Sequence, residues 1–337
     1  MSTFSDCTLT ASSSAETRVS GRQLALTLYR TNVNILLTGE LGAGKTTFAQ
    51  GFASGLGVED RVVSPTYALE QRYQKFTHID LYRLTEQQAK TFLAQSEGAE
   101  GIRLIEWADR TDLKTAGECV HVHIDDEDGT RKIRIRFLDE PVPEDTEIDE
   151  WIHAVRMPKH IQEHSRKVAE VADRFAKFLV ESRGIVLRPQ ALHAAARVHD
   201  LLRFVDFKTW DGDEVYEKTP DEIQKIWSAL KDRYGMPHEE AAGKFLEERG
   251  YGAIGQIVRC HRGMDKEGSV LARTIEEKVL AYSDKRVAFD RAVTLNERFE
   301  DFVRRYGNGR ASDHHTLWLS TMKTIETELF PEGPPTL

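Results

Sequence analysis

Eight consecutive residues, Gly39-Glu40-Leu41-Gly42-Ala43-Gly44-Lys45-Thr46, fit the pattern of a glycine, four variable residues and Gly-Lys-Ser/Thr, and Thr47 follows them. Glycines at this spacing let backbone N–H groups curl around phosphate oxygens. The lysine brings a positive charge to the outer phosphates, and the next hydroxyl can join a Mg²⁺ shell. The chemistry indicated is the binding of a nucleoside triphosphate. Such a loop needs a carboxylate on the metal side and a group that orients the attacking water. Two apolar stretches end in acids that suit these roles, His78-Ile79-Asp80-Leu81 and Ile105-Glu106-Trp107. Ser64-Pro65-Thr66 lies between the loop and the first acid, where a segment sensing the γ-phosphate would sit.

The second half carries a different set: His164, the pair His199-Asp200, His238, His261 and Asp284. Imidazole and carboxylate together suit a divalent Mn, Fe, Co, Ni or Zn ion. Each lies in a helix-like segment beside apolar positions, and ligands on facing helices are how a helical bundle builds a metal site. His160 lies one turn before His164 and could pair with it, while His193, His314 and His315 fit no scheme. Spacing alone leaves the ligand set open.

The elements that must hold these residues differ between the halves. Val33–Thr38 reads as a short apolar strand running into the glycine loop, and Phe48, Phe52 and Leu56 then recur as on one face of a helix. Residues 76–81 and 102–107 are further strands. Val120, Val122 and Ile124 alternate, as do Ile133, Ile135 and Phe137, which predicts a hairpin with an acidic turn over 125–130. Residues 139–150 break the pattern with prolines and seven acids against no base, and read as an acidic linker. Beyond it helical spacing dominates, as in Ile161, His164, Val168, Val171 and Phe175, or Ile254, Ile257, Val258 and His261. The expected organisation is an α/β unit over 1–138, the linker 139–150, an all-α unit over 151–330 and a disordered tail 331–337.

The chain has 337 residues and a net charge of −9. Residues 1–150 hold 16 Lys+Arg and 25 Asp+Glu, and the remainder holds 30 of each. That balance shows no basic stripe of a nucleic-acid binder. There is no apolar run near the ~20 residues that span a membrane, and residues 1–6 lack the basic stretch and apolar core of a secretory leader, so none is expected. Cys7, Cys119 and Cys260 are too scattered for a metal or redox pair, which fits a reducing cytoplasm.

Two resemblances narrow the reading. The glycine loop with Thr47, then Ser64-Pro65-Thr66-Tyr67, Asp80-Leu81-Tyr82-Arg83-Leu84 and Glu106-Trp107, resembles the TsaE family over about residues 1–138. The resemblance implies a mixed-sheet P-loop fold and slow hydrolysis of ATP to ADP with Mg. It also implies a role in tRNA threonylcarbamoyladenosine (t6A) biosynthesis alongside TsaB and TsaD, with tRNA met only indirectly. Carried over, Lys45 and Thr46 hold phosphate and Mg²⁺, Asp80 is the metal-side acid, Glu106 is the catalytic or water-orienting acid, and Thr17 lies near the nucleotide. The family's acidic helix ending in Leu-Gly is here Gln87-Gln88-Ala89-Lys90-Thr91-Phe92, a departure that falls on the partner-binding surface. His164-Ser165-Arg166, His199-Asp200-Leu201-Leu202-Arg203, His238, His261-Arg262-Gly263 and Ser283-Asp284-Lys285 in turn resemble an HD-domain metal phosphohydrolase over about residues 155–305. It implies an all-α fold in which His164, His199, Asp200 and Asp284 hold one metal. His238 and His261 would supply a second, with Asp200 bridging. Arg203 and Arg262 would lie near the phosphate of a nucleotide or related substrate. Two alternatives accompany this reading: an HD half that senses nucleotide or regulates the ATPase without catalysis, and a small-molecule kinase. The kinase would need an arginine-bearing lid, whereas residues 86–101 offer only Lys90.

Overall fold

The computed structural model describes residues 3–95, 101–111, 118–210, 219–265, 267–307 and 309–337. They divide into two compact units. One comprises 4–140 with 179–188; the other comprises 141–178 and 189–337 together with Thr3.

The first unit is mixed α/β. Its elements are β1 (Thr3–Ala11), α1 (Ser14–Leu26), β2 (Val33–Thr38), α2 (Lys45–Gly55), β3 (Glu70–Arg72), β4 (Phe76–Asp80), α3 (Glu86–Gln95), β5 (Ile102–Glu106), β6 (Cys119–Glu127) and β7 (Thr130–Val142). The strands form one sheet in the order β1-β7-β6-β2-β5-β4-β3. β2 is parallel to both β5 and β6, and β5 is parallel to β4. The pairs β3–β4 and β6–β7 are antiparallel. β2 is buried on both faces: Val33, Ile35 and Leu37 meet Leu24, Phe48 and Phe52, while Leu36 meets Ile79, Ile105 and Leu93. Double burial explains why this strand reads as a continuous apolar run. Leu37 lies opposite Glu106, and Glu106 opposite Asp80. The carboxyl ends of β2, β5 and β4 are thus level, and both acids reach the edge where the glycine loop leaves β2. That edge is where open parallel sheets bind ligands.

Small residues set the close approach of α1 and α2. A Cβ on Gly51 would lie 1.9 Å from the Arg18 carbonyl oxygen, and one on Gly21 would lie 2.1 Å from that of Phe48. Gly51→Ala should therefore cost about 1–3 kcal/mol by overpacking, despite alanine's better helix propensity. A melting temperature equal to or above the parent's would contradict this.

Three features depart from expectation. The β6–β7 turn is only Asp128-Gly129, at φ 53° and 86°, and Asp125–Glu127 stay in β6. Two residues at positive φ give the twist-matched hairpin turn. β1 had no counterpart in the sequence reading, although buried Cys7, Leu9 and Ala11 alternate with exposed Asp6, Thr8 and Thr10. Residues 139–150 are not a linker: Asp139–Val142 close β7, and α4 (Asp145–Ala154) begins at once. Its acids Asp145 and Glu147 sit in the first turn, where they favour the helix dipole.

Residues 179–188 complete the first unit. Val186 joins its core and donates its N–H to Gln23 Oε1 at 2.6 Å. Arg188, only 1% exposed, donates to both oxygens of buried Asp139 at 2.8 and 2.7 Å. The rings of Phe137 and Tyr29 flank its guanidinium at 4.2 and 4.8 Å.

The second unit is helical. After α4 come α5 (Lys159–Arg183), α6 (Pro189–Val198), α7 (Asp221–Tyr234), α8 (His238–Glu247), α9 (Gly252–Arg259) and α10 (Ile275–Lys285). The small hairpin β8 (Val287–Ala288) and β9 (Arg291–Ala292) follows, then α11 (Leu295–Tyr306) and α12 (Asp313–Leu329). The last residues of α5, from Leu179, count with the first unit. Buried Val168, Val171 and Phe175 of α5, Leu192 and Ala195 of α6, Ile257 and Val258 of α9, and Val279 and Leu280 of α10 build the core. Thr274 and Glu277 form a reciprocal cap that fixes the start of α10. Residues 331–337, expected as a disordered tail, include a carbonyl, that of Thr336, which accepts from Arg174 at 3.0 Å. Among the described residues no helix is long and apolar enough to cross a membrane.

Candidate functional site

The glycine loop connects β2 to α2. Gly39, Gly42 and Gly44 stand at φ 136°, 86° and 108°, a region that L-residues with a Cβ seldom adopt. A Cβ on Gly39 would press to 2.2 Å from the Ile124 carbonyl oxygen, whereas Gly42 faces open space. Lys45 is buried, and its Nζ donates to the carbonyls of Gly39 and Glu40 at 2.7 Å each. The ammonium also lies 3.7 Å from the Trp107 ring centroid. Burial draws its pKa down, against the pull of Glu106, Asp109 and Asp80 in the other direction.

Thr46 Oγ1 donates to the Glu106 carboxylate, at 3.0 and 3.1 Å from its two oxygens. His78, wholly buried, contacts Glu106 Oε1 through Nε2 at 2.9 Å, while its Nδ1 finds no hydrogen-bond partner. Asp80 Oδ2 accepts from Ser64 at 2.5 Å and from Thr66 at 2.6 Å, and Oδ1 accepts from the Tyr82 N–H at 2.8 Å. Of the two acids, Glu106 is therefore the one bonded to the Thr46 hydroxyl, and Asp80 is held by the Ser-Pro-Thr segment. Thr17 is buried in α1, and its methyl would lie 3.6 Å from a Cβ on Gly44. Arg131, on β7, donates to the Ala43 carbonyl at 3.0 Å.

In the second unit the structure brings all six sequence candidates together. His164 extends from α5, His199-Asp200 follow α6, His238 opens α8, His261 follows α9, and Asp284 lies in α10. Each imidazole is anchored through Nδ1. His164 meets the Phe289 carbonyl at 2.9 Å, His199 that of Ala196 at 2.8 Å, and His261 that of Val258 at 2.7 Å. His238 Nδ1 meets Asp206 Oδ2 at 2.6 Å. A carbonyl can only accept, so in His164, His199 and His261 Nδ1 carries the proton and Nε2 keeps its lone pair in the neutral ring. The four Nε2 atoms converge. That of His164 is 3.0 Å from Asp284 Oδ1, that of His238 is 3.0 Å from Asp200 Oδ1, and those of His238 and His261 are 3.3 Å apart.

His199 Nε2 is buried with no hydrogen-bond partner, 3.6 Å from Asp200 Oδ2 and 3.8 Å from Asp284 Oδ1. Burial lowers the His199 pKa to about 4, so the ring stays neutral near pH 7. Asp200 turns Oδ2 toward His199 and Oδ1 toward His238 and His261. Burial pushes both carboxylates up, but for Asp200 the three imidazoles, and for Asp284 Lys285 with His164 and His199, hold them well below the usual range. Arg203 NH1 lies 2.8 Å from His238 Nδ1. Arg203, Arg262 and Lys285 line the cavity of about 1310 Å³ onto which the cluster opens. Of the remaining histidines, His160, His314 and His315 line the same cavity, whereas His193 sits between Asp173 and Asp145 away from the cluster.

The family described as "Threonylcarbamoyl adenosine biosynthesis protein TsaE" matches residues 11–133. A tRNA threonylcarbamoyladenosine biosynthesis protein TsaE of Aquifex aeolicus is 39% identical over 107 residues, covering 30% of this chain and 74% of its own length. The chain belongs to the TsaE family. A TsaE of Nostoc sp. is 43% identical over 89 residues, 24% of this chain and 55% of the relative, so the chain spans about half the length of that relative. A crystal structure of Bacillus subtilis YdiB aligns with a TM-score of 0.34 at 25% identity, over 41% of this chain and 89% of the other. The TsaE match contains the glycine loop, Ser64-Pro65-Thr66, Asp80 and Glu106, and it leaves the second unit outside.

Several contacting residues escaped the sequence reading. His78 carried a signal, because it stands two residues before Asp80 and so shares its face of β4. Arg131, Asp206 and the Phe289 carbonyl carried none, since only tertiary folding brings them to their partners.

Proposed function

We propose that the TsaE unit binds and hydrolyses Mg-ATP in support of t6A modification of tRNA, with TsaB and TsaD as partners. The observation that carries this is the Thr46–Glu106 hydrogen bond at the mouth of the glycine loop. Glycines at positive φ shape the loop, and an acid and a hydroxyl converge beside it, a donor set that fits Mg-ATP. When bound, Mg²⁺ would neutralise charge building up on the phosphates. Lys45 would exchange its carbonyl contacts for phosphate oxygens. Glu106, oriented by Thr46 and His78, would take the proton of the water whose oxygen bonds to the γ-phosphorus as the bond to ADP breaks. Asp80, held by Ser64 and Thr66, would couple that segment to the metal side. Lys45→Ala should lower ATP turnover by on the order of 100-fold, read as phosphate release with TsaB and TsaD added. Undiminished release would remove the loop from catalysis.

The second unit we read as an HD-type metal phosphohydrolase acting on a nucleotide or related phosphate ester or anhydride. Its support is the unpartnered, lone-pair-bearing Nε2 of His199, buried among carboxylate oxygens that can only accept. Acceptors crowded in this way fit a cation. His164, His199, Asp200 and Asp284 would hold one divalent metal, and His238 and His261 a second, with Asp200 shared between the two. Bound metal would supply an activated water and a clamp on a phosphoryl oxygen. Arg203, Arg262 and Lys285 would hold the phosphate in the cavity. A water oxygen bonds to phosphorus, the ester or anhydride bond breaks, and the leaving oxygen takes a proton. Residues 86–95 offer no arginine-bearing lid for a kinase, and 96–100 lie outside the described residues.

A further inference from the structure

We propose that Phe289, at the tip of the β8–β9 hairpin and backed by Arg305, is a stacking platform for the base of a nucleoside 5′-phosphate whose phosphate faces the His/Asp cluster. The proposal deepens the phosphohydrolase reading and rests on it.

Phe289 is out of place on structural grounds alone. It stands at φ 58°, in the left-handed region that a bulky aromatic residue rarely occupies. Glycine or asparagine is the ordinary choice at such a turn. Its side chain is also 51% exposed, so burial does not offset that conformation. The backbone there is tied to the cluster, because the Phe289 carbonyl accepts from His164 Nδ1 at 2.9 Å. The same residue that orients an imidazole thus displays a large apolar ring to the cavity holding that imidazole.

The surroundings of the ring fit a planar, electron-rich ligand. The Arg305 guanidinium lies 4.2 Å from the ring centroid and is pinned at 3.0 Å by buried Asp301. Phe302 and Trp318 line the same cavity, edge to face at 4.9 Å, with the Arg298 guanidinium 4.5 Å from the Phe302 ring. Aromatic faces combined with arginine are how proteins hold single bases without reading their edges. Lining the same cavity, Arg203 contacts His238, Lys285 pairs with Asp284, and Arg262 adjoins His261. The lining therefore offers cations that suit a phosphate and aromatic faces that suit a base. About 1310 Å³ is far more room than a bare phosphate needs and ample for a nucleoside.

The test is equilibrium binding of adenosine 5′-monophosphate, ribose 5-phosphate and inorganic phosphate to the full chain by calorimetry. All samples carry Lys45→Ala to silence the glycine loop, and metal content and turnover are read on the same preparations. The parent should bind the nucleotide on the order of tenfold more tightly than ribose 5-phosphate. Phe289→Ala should bring that ratio to about one, and Phe289→Tyr should keep it. Equal binding of the two ligands by the parent, or a ratio that survives Phe289→Ala, overturns the platform. A ratio that responds to Phe289→Ala in protein lacking metal and turnover upholds the platform and sinks the phosphohydrolase reading. Turnover of both phosphates with no base preference does the opposite.

Discussion

On the proposed reading, Asp200→Ala is expected to strip the second unit of metal and lower the proposed phosphohydrolase rate on the order of 1000-fold, while the proposed ATP turnover by the TsaE unit persists. The reason is electrostatic. Four imidazoles and two carboxylates form the cluster, and Asp200 is the carboxylate whose two oxygens face different imidazoles. Without it Asp284 alone would neutralise a divalent ion in a buried setting, and a second ion would meet only imidazole. Loss of second-layer contacts to a ligand already costs about 10–100-fold in metal affinity, so loss of a bridging ligand should exceed that. Elemental analysis of the purified chain, followed by a nucleotide and phosphate-ester screen, reads both effects. A wild-type chain free of divalent metal, or a variant with unchanged metal content, would end the metal-centre reading. Metal present without turnover of any substrate would instead favour a sensor. Lys45→Ala should show the complementary pattern, and loss of both activities in either variant would contradict independent sites.

The second large effect concerns stability. Arg188→Ala should destabilise the first unit by about 3–5 kcal/mol, because it leaves the Asp139 carboxylate buried without a partner. For a unit of this size that corresponds to roughly 10 °C in melting temperature. The Arg188 guanidinium is clamped between two aromatic rings and donates to both Asp139 oxygens. Replacing both partners by apolar residues, Arg188→Met with Asp139→Leu, should restore most of the loss, since no charge is then left in the core. Calorimetry of the full chain distinguishes the cases. A single variant as stable as the parent would show that water reaches Asp139. A fragment ending at residue 150, which carries Asp139 without Arg188, should be poorly soluble beside one ending at 190.

The legibility of this chain differed by element. β2 and the glycine loop were plain because a doubly buried strand and a phosphate-binding turn both impose local composition. Asp80 and Glu106 were visible as acids ending apolar runs, and the parallel register then set them side by side. What no local pattern held was their division of contacts, with Glu106 on Thr46 and Asp80 on Ser64 and Thr66. The histidines were legible as a set only through resemblance. Each alone is an ordinary residue on an apolar face, and their Nδ1 anchors are mostly main-chain carbonyls, which any residue supplies. Residues 139–150 misled because prolines and dense charge mark a boundary as readily as a strand end followed by an acidic helix start. Arg188 was the least legible, since a charged residue beyond a long helix gives no local sign of completing a core begun more than 150 positions earlier.

That last arrangement has a consequence in time. The sheet of the first unit is fully synthesised once β7 leaves the ribosome, yet Asp139 has no counter-charge and the core lacks Val186 until translation has passed residue 188. At roughly 5–20 residues per second this leaves an interval of about 2–10 s in which the nascent ATP-binding unit waits, incomplete, for a stretch encoded within its neighbour. A ribosome that stalls or a message that ends inside that interval releases a chain with an exposed seam. Production of a sound first unit is in this way made conditional on the reading of the second.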